Sequence, residues 1–237
     1  SSGPLSPGPD GRPWGGRFPG LSIRDQVRAQ QALVASLGIR RLRLVLGGSL
    51  GGLQALEWAL IDPDRVEAVA SIAASGRHSA WCLAFSEAQR LAIRSDPTFR
   101  DGDYGPEAPP RHGPATARAI AMISYRSGAS LDRRFGRSPG AAVFRDRAQH
   151  PEEPAVRGWL RHHGEQLVNR FDANSYLRLL DAMDGHDLAR DRGDYGAVLG
   201  SLGPPTLVVS IPSDSLYLPA EQRQLAQLLP QAVLDVP

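Results

Sequence analysis

The residues Gly47-Gly48-Ser49-Leu50-Gly51 set a hydroxyl among glycines in the pattern G-x-S-x-G. This spacing serves covalent acyl transfer: a strained turn from strand into helix lifts the serine hydroxyl above a sheet, where it can attack a carbonyl. Glycines at 47 and 51 are expected because a side chain at either would collide with the neighbouring strand or helix in so tight a turn. The start of the helix presents the Leu50 N–H toward a developing oxyanion. A serine nucleophile also needs a base and an orienting acid, and behind such an elbow the chain order is Ser, then Asp or Glu, then His. Asp214 is the acid candidate. It follows an apolar run at a loop, where a carboxylate at the carboxyl edge of the sheet faces the serine; the plainer reading is a solvated turn aspartate in Pro-Ser-Asp-Ser. The base is the difficulty, because His78, His112, His150, His162, His163 and His186 all precede Asp214.

The elements that must position these groups are legible as well. Residues 23–37 carry Ile23, Val27, Val34 and Leu37 on one face at helical spacing, with Gln30 the polar exception and Ser22 as N-cap. Gly38 ends that helix, and residues 42–46 (LRLVL) form a strand entering the elbow. A helix over 51–61 stops at Asp62-Pro63, and residues 66–74 (VEAVASIAA) read as a second buried strand, the rhythm of a parallel sheet. From 75 to about 200 the pattern turns to Arg-rich helical segments with frequent Pro and Gly, expected to form a helical lid. A strand at 207–211 (LVVSI), a helix at 220–229 and a strand from 232 (AVLDV) then resume the sheet. The expected division is 1–74 core, 75–200 lid and 201–237 core continued.

Composition narrows the chemistry. The 27 basic residues are all arginine, which excludes Schiff-base and phosphate-loop lysines. They balance 25 acidic residues to a net charge of +2, which gives no basic tail for nucleic acid, and no stretch has the apolar length of a membrane span. The one cysteine, Cys82, is compatible with a reducing cytoplasm. No metal site is expected: His162 and His163 are adjacent and point apart, without the i, i+4 spacing of a zinc pair. Asp132-Arg133-Arg134 reads as a solvated or dimer-contact cluster, and Trp58, Trp81 and Trp159 as packing.

Six blocks in order, GGSLGGLQALEWAL, DRVEAVASIAASGRHSAW, IAMISYRS, LDRRFGR, FDANSYLRLLDAMDGHD and TLVVSIPSDSLYLPAEQ, together resemble the homoserine O-acetyltransferase family. The resemblance implies an α/β-hydrolase fold with a parallel sheet core and an inserted helical lid, here incomplete at both termini. It implies transfer of acetyl from acetyl-CoA to the hydroxyl of L-homoserine, on the route to methionine, with acetyl-CoA as co-substrate and no permanently bound cofactor. It makes Ser49 the nucleophile and Asp214 the triad acid. It also makes Arg118 and Tyr125, on a shared helix, the substrate-recognition pair, and a guanidinium can grip an amino-acid carboxylate through two hydrogen bonds. A cytoplasmic homodimer joined through the lid is expected. Relative to the family pattern, the early strands, the loop bearing a second oxyanion N–H and a terminal Gly-His-Asp segment are absent, so a fragment is expected. His78 and His186 match blocks where the family uses them structurally. The rival readings are a succinyl-CoA- or L-serine-using transferase, a simple esterase, and a non-catalytic binding remnant.

Overall fold

The computed structural model describes residues 2–105, 107–137 and 153–237, and His150 lies outside them. The chain forms two compact units, Ser1–Pro19 with Ala84–Leu180, and Gly20–Leu83 with Asp181–Pro237. The division differs from the expected 75 and 200. The first nineteen residues join the helical unit, where Arg178 donates to the Gly16 carbonyl, while segments flanking 75 and 200 stay with the sheet.

The second unit carries the sheet. Strands β1 (Val45–Gly48), β2 (Val69–Ile72), β3 (Thr206–Val209) and β4 (Ala232–Asp235) run parallel in that order. Each is shorter than its apolar run: Leu42 only bridges Val66, and the pairing of β1 begins at Val45, where its N–H reaches the Ala68 carbonyl. Helix α1 (Ile23–Ser36) starts at a full capping box. The Ser22 side chain accepts from the Asp25 N–H, and the Asp25 carboxylate accepts from the Ser22 N–H. Ile23 and Val27 are buried, but Leu37 ends the helix exposed, so the apolar face is shorter than its spacing implied.

Helix α2 (Leu50–Ile61) is covered on most sides, burying Leu53, Ala55, Leu56, Trp58 and Ala59, as its uniformly apolar sequence requires. All but Leu53 join Val27, Val69, Val208, Leu199 and Leu225 in the main core, while Leu53 packs with Ile23, Ala74 and Tyr217. Its one buried charge, Glu57, is 1% exposed and paired with Arg24 at 2.7 Å and Arg192 at 2.6 Å. Two guanidiniums on one carboxylate hold the elbow helix against α1 and the 185–194 loop, and a buried carboxylate is tolerated only with such partners. Helices α8 (Tyr195–Gly200) and α9 (Pro219–Leu228) complete the unit.

The first unit holds α4 (His112–Ser124), α5 (Gly128–Phe135) and α6 (Ala155–Val168), around Met122, Phe135 and Trp159. Helices α3 (Ala80–Arg94) and α7 (Ala173–Asp184) run from one unit into the other. Between 75 and 200 the described residues hold helices and turns, with an isolated bridge joining Arg77 to Asp187. Trp58 and Trp159 pack as expected, but Trp81 is 49% exposed and donates its indole N–H to the Ser215 carbonyl. His162 and His163 do not point apart: their rings meet edge to face at 5.6 Å, and His163 packs on Trp159. Asp132, Arg133 and Arg134 are exposed. No described helix is long and apolar enough to cross a membrane.

Candidate active site

The turn between β1 and α2 holds Ser49 at φ 52° and ψ −122°, left-handed backbone that a non-glycine residue adopts only when its surroundings impose it. The surroundings here are specific. The Ser49 N–H donates to the Ile72 carbonyl at the end of β2, and the Ser49 carbonyl accepts from Gly52 and Leu53. Those bonds occupy two of the first N–H groups of α2. The Leu50 and Gly51 N–H groups precede them at a helix start, where no intrahelical acceptor exists. Leu50 follows the exposed Ser49 as the first residue of α2.

The glycines divide their work differently from expectation. A Cβ on Gly47 would come 2.1 Å from the Gly51 carbonyl oxygen, so Gly47 is obligatory. A Cβ on Gly51 would meet nothing within 4 Å, and no collision constrains that position. The crowded helix glycine is Gly52, whose Cβ would come 2.6 Å from the Ala74 Cβ and 3.1 Å from the Ser71 Oγ. The chain turns on Gly47 and packs the helix onto β2 through Gly52, and Gly51 takes part as backbone alone.

Asp214 lies in the loop between β3 and α9. Its Oδ1 accepts from the Leu216 N–H at 2.8 Å and the Tyr217 N–H at 3.1 Å, a turn that fixes the carboxylate. Burial pushes its pKa above the ordinary aspartate value, against the pull of those two amides. The loop is tied down further: the Leu216 carbonyl accepts from the Cys82 thiol, and the Tyr217 carbonyl from Gln222. Among the described residues no histidine contacts Asp214.

Tyr217, three residues on, is what sequence reasoning missed. It is 2% exposed, and its hydroxyl lies 3.0 Å from His78 Nε2. His78 Nδ1 faces the Asp184 carboxylate at 3.3 Å. Nothing in PSDSLYLP marks a tyrosine for this position, because its partners are distant in sequence. His186 is buried with its Nε2 unpartnered, and burial lowers its pKa to about 4.

Arg118 and Tyr125 belong to the helical unit. Arg118 rides on α4, and Tyr125 caps that helix instead of lying within it, with the guanidinium 5.2 Å from the phenol ring centroid. Tyr176, whose hydroxyl donates to Gln89, titrates above its ordinary range because it is buried. The structure thus pairs Arg118 with Tyr125 in one unit and places Ser49 and Asp214 together in the other.

A parallel sheet that delivers a strained serine to a helix start, with a carboxylate on a later strand's loop, is the site of an α/β-hydrolase-type protein. Residues 1–237 match the α/β-hydrolase fold family throughout. The chain is 51% identical over 241 residues to homoserine O-acetyltransferase of Nostoc punctiforme, covering 99% of this chain and 65% of that protein. It is 52% identical over 224 residues to that of Trichormus variabilis, covering 94% and 60%. Its fold matches the crystal structure of esterase E22 with a TM-score of 0.88 at 29% identity, over 100% of this chain and 66% of that one. The chain belongs to the homoserine O-acetyltransferase family within the α/β-hydrolase fold, and spans 65% and 60% of the length of these two curated relatives.

Proposed function

We propose that the protein carrying this chain transfers an acetyl group from acetyl-CoA to the hydroxyl of L-homoserine through an acyl-enzyme on Ser49. The observation that supports it most is a strained, exposed serine in a chain half identical, over 99% of its length, to an enzyme of that name. In the first half-reaction the Ser49 Oγ bonds to the thioester carbonyl carbon. The oxygen's developing charge faces the Leu50 N–H, and the coenzyme A thiol leaves. In the second, the homoserine hydroxyl attacks the Ser49 ester and the serine is regenerated. Asp214, with one oxygen held by backbone amides, presents the other to orient the base. Arg118 binds the acceptor's carboxylate and Tyr125 adds a hydrogen bond, so that the alcohol outcompetes water. The same reading makes the protein a cytoplasmic homodimer acting toward methionine, with acetyl-CoA as co-substrate.

A hydrolytic reading has its own support in the structural likeness to esterase E22. One experiment separates the two. The full-length protein is incubated with acetyl-CoA, its intact mass is measured, and coenzyme A release is followed with and without homoserine. Transfer requires one added acetyl, lost in Ser49→Ala, and release accelerated by homoserine. An adduct that persists in Ser49→Ala removes Ser49 from the mechanism, and release indifferent to homoserine makes the protein a hydrolase. Succinyl-CoA and L-serine in the same assay test the rival donor and acceptor.

A further inference from the structure

The Asp214 loop is gripped by one short stretch of chain at the start of α3. The Trp81 indole N–H donates to the Ser215 carbonyl at 2.7 Å, and the Cys82 thiol donates to the Leu216 carbonyl at 3.4 Å. His78 Nε2 lies 3.0 Å from the Tyr217 hydroxyl. Residues 81, 82 and 78 therefore hold residues 215, 216 and 217 in turn, and all of them belong to the sheet-bearing unit. The acyl-transfer scheme uses none of the three holding side chains.

The two carbonyls matter because of what stands on the far edge of their peptide groups. A trans peptide sets its C=O and its N–H on opposite edges. The peptide whose oxygen accepts from Trp81 is the one whose N–H, at Leu216, donates to Asp214 Oδ1. The next peptide repeats the pattern: its oxygen accepts from Cys82, and its N–H, at Tyr217, donates to the same carboxylate oxygen. Both amides that carry Asp214 are thus fixed at both edges. Hydrogen bonds in series polarise one another, so a carbonyl that accepts makes its own N–H a better donor. That suits a carboxylate whose charged form burial disfavours.

The grip is itself anchored. Cys82 is 0% exposed and packs with Ile23, Leu53, Ala74 and Tyr217. Its N–H reaches the Ser79 Oγ, and burial pushes its thiol pKa up, so the S–H is present to donate. The His78 N–H donates to the His186 carbonyl, and its ring faces Asp184. Trp81 differs from its neighbour in standing half exposed, so its ring contributes less by burial than a core tryptophan and its N–H is the part committed to the loop.

We propose that Trp81 and Cys82 are positioning residues for acyl transfer, orienting Asp214 through the two peptide groups that hold its Oδ1, so that Oδ2 is presented to the base. This rests on Asp214 being the triad acid. Trp81, which the sequence offers only as packing, thereby gains a part in the reaction without touching substrate.

The test follows homoserine-dependent coenzyme A release by the full-length protein. Trp81→Phe keeps an aromatic ring and removes the N–H. It should lower kcat about three- to tenfold, the loss of one hydrogen bond, with KM for homoserine and for acetyl-CoA within about twofold. Cys82→Ala should act in the same direction but less, because a thiol is a weak donor. Asp214→Asn removes the acid, and adding Trp81→Phe or Cys82→Ala to it should slow the enzyme no further, since both work through that carboxylate. Circular dichroism and a thermal melt monitor folding; should Trp81→Phe melt early, Cys82→Ala, alone and with Asp214→Asn, carries the test. Wild-type kcat in both single variants, or a further loss when either is added to Asp214→Asn, overturns the proposal. Wild-type kcat in Asp214→Asn itself would instead overturn the assignment of the acid, so the two failures are distinguishable.

Discussion

Three of the four glycines around the elbow make a graded prediction, because the space beside each is known. At Gly51 an added methyl meets nothing within 4 Å, and the position lies inside α2 with ordinary helical φ. Gly51→Ala should therefore stabilise the protein by roughly 0.5–1 kcal/mol, the gain of alanine over glycine in a helix. At Gly52 the methyl would sit 2.6 Å from the Ala74 Cβ and 3.2 Å from the Gly47 carbonyl. The Ala74 methyl belongs to a 1% exposed residue with no room to retreat, so Gly52→Ala should cost about 1–3 kcal/mol as overpacking, more than its helix gain returns. At Gly47 the clash is with backbone, 2.1 Å to the Gly51 oxygen and 2.2 Å to its carbon. Neither atom can rotate aside, so Gly47→Ala must open the turn itself. It should be the most destabilising of the three and should also abolish labelling of Ser49 by a fluorophosphonate probe, which reports serine reactivity. For a chain of this size 1 kcal/mol is about 2–4 °C in Tm, so a thermal melt of the full-length protein resolves the series. A Gly51→Ala loss larger than that of Gly52→Ala would refute the steric assignment of the elbow.

Other perturbations have equally definite outcomes. Glu57→Ala leaves Arg24 and Arg192 without their shared carboxylate, and denaturant titration should show a loss of about 3–5 kcal/mol. His186 has a folded pKa of about 4, depressed by burial. The unfolded chain therefore binds the extra proton between its own pKa of roughly 6.5 and that value, and stability contributed above the window is lost as pH falls through it. His186→Asn should flatten the pH dependence of Tm between about pH 6.5 and 4, and an unchanged slope would show that His186 is not buried neutral. Arg118→Ala should raise KM for homoserine about ten- to hundredfold and leave that for acetyl-CoA nearly unchanged; equal effects on both would assign Arg118 to support of its helix.

Much of the site was legible because its signals are local. The G-x-S-x-G spacing, the Ser22 cap and the apolar runs of β2 and β3 each depend on neighbours within a turn or a strand. The pattern overran at the ends: an apolar residue such as Leu42 or Leu37 satisfies the periodicity whether or not a partner strand or helix reaches it. Gly51 was assigned a collision because the motif names it, while the crowded neighbour, Gly52, is set by Ala74 on a different element. Nothing local in the sequence marks Glu57 for burial, since that depends on two arginines, one of them 135 residues further along the chain. Tyr217 was invisible for the same reason.

The register of the sheet has a kinetic consequence. The elbow can form early, because Ser49 bonds to Ile72 and β1 pairs with β2 close by in sequence. Its companions arrive only when Val69 meets Thr206 and β3 closes onto β2, which brings Tyr217 to a histidine 139 residues earlier in the chain. Closing so long a loop is entropically costly, and contacts of this range slow folding. The strained serine backbone should thus form before the loop that carries Asp214 is in place, and a refolding time course would show native-like circular dichroism ahead of Ser49 reactivity. Chemical competence of the nucleophile becomes a late reporter of folding, set by the last parallel pairing and not by the turn that carries it.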